Sequence, residues 1–161
     1  MDVYDEDLLE FWKSLQMNNV QFIIVGDFAC SIHGYSTLRN IIEIWNKDEI
    51  GNRQNFGKAL EVFGYGEMDW NEMQFIPGWT NFYIGKGVLL DILIDMKGLE
   101  GFTFDECLEA ATIAEIENVT VPFLHINHLI ENKKAVNRPK DQIDVMELEK
   151  IVLLRKEMGL D

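Results

Sequence analysis

The chain has 161 residues, 47% of them hydrophobic, and a formal net charge of −14. That length and apolar content suit one folded domain (1–161) with its own core and exclude a disordered chain. No apolar run approaches a membrane span, the N-terminus is acidic (Asp2, Asp5, Glu6, Asp7) where a signal peptide would be basic, and a surface this acidic repels nucleic acid phosphates, leaving nucleic acid a role only as an acceptor substrate.

Residues 5 to 17 read as an amphipathic helix. Asp5 or Asp7 offers a cap, and Leu8, Phe11, Trp12 and Leu15 form the buried stripe. Val20 to Val25 is a β-rich run bounded by Asn18-Asn19 and Gly26, which predicts a buried strand. Gly26-Asp27 turns into a short helix, Phe28 to His33, with Gly34 as its left-handed terminator. A second strand, Ile41 to Trp45, carries one carboxylate, Glu43, among apolar neighbours. A helix is expected from about Asp48 to Phe63, with Ile50, Phe56, Leu60 and Phe63 facing inward. Tyr65 to Gly78 shows no clean period and reads as a loop, and the aromatic side chains from Tyr65 to Trp79 offer a contact surface for a protein partner.

Trp79 to Ile84 alternates as a strand does, Gly85-Lys86-Gly87 is a hairpin-like turn, and Val88 to Ile94 is a strand with a single acid, Asp91, inside an apolar run. A carboxylate inside a buried strand is costly unless it is paired, hydrogen-bonded or bound to metal. A short helix at Phe104 to Ala111 precedes a hairpin (Thr112 to Ile116, Val119 to His125) turning at Glu117-Asn118. Asn127 is the expected cap of a helix from His128 to Val136. The last helix runs from about Pro139 to Met158, with Ile143, Met146, Leu148, Ile151, Val152 and Leu154 as its buried stripe. Cys30 and Cys107 sit far apart in apolar helical contexts and read as buried free thiols of a cytoplasmic protein. Basic residues concentrate at the C-terminal end: residues 133–161 hold 7 of them against 6 acids, whereas residues 1–132 hold 7 against 22.

Val25-Gly26-Asp27, thirteen residues, then Ile41-Ile42-Glu43-Ile44 resembles the signature of the nucleotidyltransferase superfamily: a hydrophobic-Gly-(Gly or Ser) turn, a spacer, and Asp-hydrophobic-(Asp or Glu)-hydrophobic. Leu90-Asp91-Ile92-Leu93 matches the later strand that carries the family's third acid. Leu129-Ile130-x-x-Lys133-Lys134-Ala135-x-x-Arg138-Pro139-Lys140-Asp141-x-x-Asp144 is similar to the closing segment of bacterial members, including abortive-infection toxins. The resemblance implies an α/β fold, a small mixed sheet flanked by helices. It also implies Glu43 and Asp91 as catalytic ligands of Mg2+, and nucleoside triphosphate contacts from Gly26, Asp27, Lys133, Lys134, Arg138 and Lys140. For the basic residues, a solvated helix end complementing the helix dipole is the alternative.

Two letters depart from the pattern. Asp27 stands where the turn has its second Gly or Ser, and Ile41 stands where the first acid belongs. An isoleucine ligates no metal. Asp27 either caps the Phe28 helix or substitutes for the missing ligand. The leading expectation is therefore a member with a degraded site that serves as a regulatory or interaction module. The competing expectation is an active Mg2+-dependent enzyme that moves a nucleoside monophosphate to a protein, RNA or small-molecule hydroxyl. A third is a toxin–antitoxin or phage-defence component acting through a protein partner.

Overall fold

The computed structural model describes residues 6–36, 41–85 and 87–160. Asp5, one candidate cap of the first helix, and Lys86 of the glycine turn lie outside them. The described elements run α1 (Glu6–Met17), β1 (Phe22–Val25), α2 (Gly26–Ile32), β2 (Ile41–Asn46), α3 (Ile50–Ala59), a 3-10 turn (Glu61–Phe63), β3 (Asn81–Tyr83), β4 (Leu89–Leu93), α4 (Phe104–Ala110), β5 (Thr112–Ile116), β6 (Val119–Phe123), α5 (Ile126–Val136) and α6 (Pro139–Glu157). The six strands form one mixed sheet in the order β3-β4-β2-β1-β6-β5. The α/β architecture is the one expected. No described helix is long and apolar enough to cross a membrane.

The strands at the middle are buried on both faces. Every residue of β1 is buried, so its sequence is a continuous apolar run and not an alternation. β1 pairs antiparallel with β2 and parallel with β6, while β2 pairs parallel with β4. α1 covers one face through Leu8, Phe11, Trp12 and Leu15, and the Trp12 indole lies parallel to the rings of Phe22 and Phe28. The hairpin between β5 and β6 turns at Glu117 and Asn118, both with positive φ (46° and 70°), as a tight turn matched to strand twist requires.

Several sequence expectations need correction. α2 begins at Gly26, so Asp27 sits inside the first turn and the N-cap is Val25. The third helix ends at Ala59 and continues only as the 3-10 turn, and Ile50, expected inside, is exposed. α5 starts at Ile126, and the cap is His125, whose Nδ1 accepts the Asn127 N–H at 3.0 Å; Asn127 is not the cap. On α6 only Leu148 of the expected stripe is fully buried, whereas Ile143, Met146 and Leu154 face solvent. α6 is long and rests mainly against α5, so one face alone meets the body of the protein.

The 65–78 stretch, expected as an open contact loop, is folded inward. Trp70 and Phe75 are buried, with Trp70 edge-on to Phe56 at 5.4 Å and close to Phe82 at 5.2 Å. Arg53 anchors the stretch. Its guanidinium donates to the carbonyls of Trp70 and Met73 and lies over the Phe75 ring. Gly57 makes this packing feasible, because a Cβ there would overlap the Trp70 indole. Met68, Ile76 and Trp79 remain exposed.

Candidate functional site

Three segments meet at the end of β1. The Gly26-Asp27 turn leads into α2, β2 brings Glu43 alongside it, and the α5–α6 corner closes over both. Gly26 has φ +66°, and a Cβ at this position would run into the Glu43 carboxylate. The glycine therefore serves two needs at once, a left-handed backbone and contact with the acid of the neighbouring strand. A cavity of about 280 Å³ opens here, lined by Gly26, Asp27, Glu43, Asp95, Lys97, Asn132, Lys133, Arg138 and Asp141, among others.

Asp27 is buried, and its carboxylate accepts from Lys140 Nζ at 2.8 Å while lying 3.6 Å from Lys133 Nζ. Both ammonium groups also contact Asp144 Oδ2 at 2.8 Å. Tyr35 donates its hydroxyl to the other Asp144 oxygen at 3.0 Å. Arg138 binds Asp141 through its backbone N–H, Nε and Nη2, while Lys133 stands 3.9 Å from the same carboxylate. Three acids thus face three bases; the acids and Lys133 are buried, whereas Lys140 and Arg138 reach solvent. Burial alone would raise the Asp141 and Asp144 carboxyls. The hydrogen bonds from Arg138 to Asp141, and from Lys133 and Lys140 to Asp144, outweigh it and hold both below the ordinary 3.8. Nearby, burial pushes the Cys30 thiol up to about 12, so it is no nucleophile.

The two acids named as metal ligands are aligned. Glu43 stands opposite Asp91 on adjacent parallel strands, which directs both side chains to the same face. Their surroundings differ. Both Asp91 oxygens accept the Gly78 N–H, at 3.1 and 3.2 Å, so this buried carboxylate pins the Pro77–Gly78 turn at the cavity rim. Burial raises its pKa despite the bonds from Gly78 and Ile92. Ile41, in register with Leu89, supplies no oxygen. Among the described residues no three His, Cys, Asp or Glu side chains stand close enough to hold a metal ion.

Of the expected nucleotide contacts, Gly26, Asp27, Lys133 and Arg138 line the cavity, and Lys140 joins them through Asp27. Lys134 points away and pairs with Glu149 at 3.2 Å. Sequence reasoning left Asp95, Lys97 and Asn132 unassigned; they reach the cavity through the 93–98 loop and α5, and Asn132 donates to the Lys97 carbonyl. A signal for the ion cluster was present in the spacing of Lys140 and Asp144, which are helical neighbours at i, i+4.

No family model and no curated protein matches the chain. Solved structures do. The lincosamide antibiotic adenylyltransferase LnuA, with lincomycin bound, is similar with a TM-score of 0.59 and 13% identity over 94% of this chain and 99% of that one. ANT(2'')-Ia in complex with adenylyl-2''-tobramycin gives a TM-score of 0.52 at 18% identity, covering 93% of each chain. A Thermotoga maritima protein described as a nucleotidyltransferase gives 0.54 at 16%, over 94% of this chain and 90% of that one. The fold is thus shared with these proteins across nearly their whole length, and the chain has the fold of the nucleotidyltransferases.

Proposed function

We propose that this protein is a nucleotidyltransferase-fold module without efficient transferase activity, acting in regulation or through a protein partner. The observation that carries the reading is the carboxylate set. Ile41 stands where the resembled pattern has an oxygen ligand close to Glu43, and the two Asp91 oxygens already share the Gly78 N–H. Phosphoryl chemistry of this class depends on metal ions held by several hard oxygen ligands, and losing one ligand of a small set weakens the ion severely. The fully buried free thiols Cys30 and Cys107 support a reducing compartment, the cytoplasm. The partner, including one from a toxin–antitoxin or phage-defence pair, would meet exposed apolar groups such as Trp79 and Ile76.

A second reading is favoured by the direct register of Glu43 with Asp91. In it the chain is an enzyme that transfers a nucleoside monophosphate to a hydroxyl of a small molecule, a protein or RNA, and the likeness to antibiotic adenylyltransferases supports the small molecule. Calorimetric titration with Mg2+ and ATP separates the two. The native chain should give no measurable heat of Mg·ATP binding, whereas the Ile41→Asp, Asp27→Gly double variant should bind. Micromolar binding by the native chain would establish the enzyme reading instead.

A further inference from the structure

We propose that Asp27 is a built-in counter-anion: its carboxylate holds the place between Lys133 and Lys140 that a small tetrahedral oxyanion such as phosphate would otherwise take. The inference rests on the reading of a switched-off site and gives that state a cause distinct from the metal ligands.

The geometry is a ring of alternating charge. One oxygen of Asp27 faces both ammonium groups, at 2.8 Å from Lys140 and 3.6 Å from Lys133. On the far side, one oxygen of Asp144 faces the same two groups at 2.8 Å each. The two sides differ in origin. Lys133, Lys140 and Asp144 all belong to α5 and α6, whereas Asp27 reaches across from α2. Asp27 is therefore the anion that the opposite wall presents to a preassembled pair of lysines.

The local pairing points the same way. Among the described residues, Lys133 and Lys140 share two carboxylates, Asp27 and Asp144, and Lys133 also lies 3.9 Å from Asp141. Removing the Asp27 charge takes one of the two shared anions from the lysine pair, and the Lys133 ammonium is buried, where a charge demands a partner. Space for one is present, since the adjoining cavity of about 280 Å³ is lined on one side by Gly26, Lys133 and Arg138, the last with its side chain 64% exposed, while the acids Glu43, Asp95 and Asp141 line the rest and confine an anion to the lysine side. Ammonium groups with a guanidinium nearby suit a compact oxyanion that accepts hydrogen bonds on several sides.

The test is thermal unfolding with inorganic phosphate, in the absence of metal and nucleotide, with chloride controls at matched ionic strength. The native chain should show no saturable shift. Asp27→Asn, which keeps the shape and removes the charge, should bind phosphate at least tenfold more tightly and rise in melting temperature by roughly 3–6 °C at ten times its dissociation constant. Asp27→Asn combined with Lys140→Met should lose that response. If Asp27→Asn is unfolded at low salt, phosphate should restore a cooperative melt where chloride does not. Equal binding by the native chain, a folded Asp27→Asn protein that ignores phosphate, or failure of phosphate to rescue an unfolded one would each overturn the proposal. Because neither metal nor ATP is present, these outcomes are independent of the Mg·ATP titration.

Discussion

A methyl group at Gly26 would meet the Glu43 carboxylate and would have to adopt a left-handed backbone, so Gly26→Ala should cost about 1–3 kcal/mol of stability, read by urea denaturation. Lys133 is buried against three carboxylates, and Lys133→Met should cost on the order of 3–5 kcal/mol, because it strands buried acids. Lys140, whose side chain is 42% exposed, should cost far less when changed to Met; equal losses for the two would contradict the burial difference. Acid should act in two stages. Burial holds the His33, His125 and His128 rings below their ordinary 6.5, so the unfolded chain takes up their protons first. The stability they contribute is present above about pH 6.5 and declines as pH falls through it. Asp141 and Asp144, held below 3.8, contribute above the unfolded carboxylate range, and that share is lost as pH falls through their lower folded values. Asp91, raised by burial, works in the opposite sense. A melting series from about pH 8 to 3 should show a gradual onset near 6.5 and a steep fall below 4; a flat profile between those points would exclude the histidine stage.

At the scale of elements, the 65–78 stretch depends on Arg53, which binds two of its carbonyls and covers Phe75. Arg53→Ala should speed amide exchange from Trp70 to Gly78 and shift Trp70 fluorescence, leaving exchange in β1 and β2 unchanged. The same stretch marks the limit of what the sequence discloses. Strands β1, β2 and β4 were legible because buried central strands are apolar runs, interrupted in β2 and β4 by one acid each, and Glu43 and Asp91 were linked by their match to the family's acids, while their direct register is a finding of the structure. The inward fold of Trp70 and Phe75 was not legible, since it rests on a space at Gly57 and a cation from α3, which no local period records. Nor was the fate of Asp27. Its position just ahead of the expected Phe28 helix made capping the ready interpretation, while its partners lie 106 and 113 residues further along the chain. The exposed Ile143, Met146 and Leu154 on α6 show the converse, because helical spacing marks an apolar face without stating that anything covers it.

Over the whole molecule, a net charge of −14 disfavours the compact state through self-repulsion. The melting temperature should therefore rise between about 10 mM and 0.3 M NaCl as the Debye length shrinks from about 30 Å to below 10 Å, and a fall would mean that attractive surface pairs dominate. The sheet itself has an uneven ladder. β2 and β4 share five register pairs, whereas β1 meets β6 through Ile24 and Phe123 alone, with one further bond from the Leu124 N–H to the Ile24 carbonyl. The ion ring spans this thin junction, as does His33, whose Nε2 lies 2.9 Å from the Leu124 carbonyl. Sub-global opening should accordingly break the chain into two cooperative units, with β5, β6, α5 and α6 detaching together from the remainder. In that event the charges between α2 and the C-terminal helices act as a clasp between foldons, and the strength of that clasp sets how often the protein exposes its interior without unfolding.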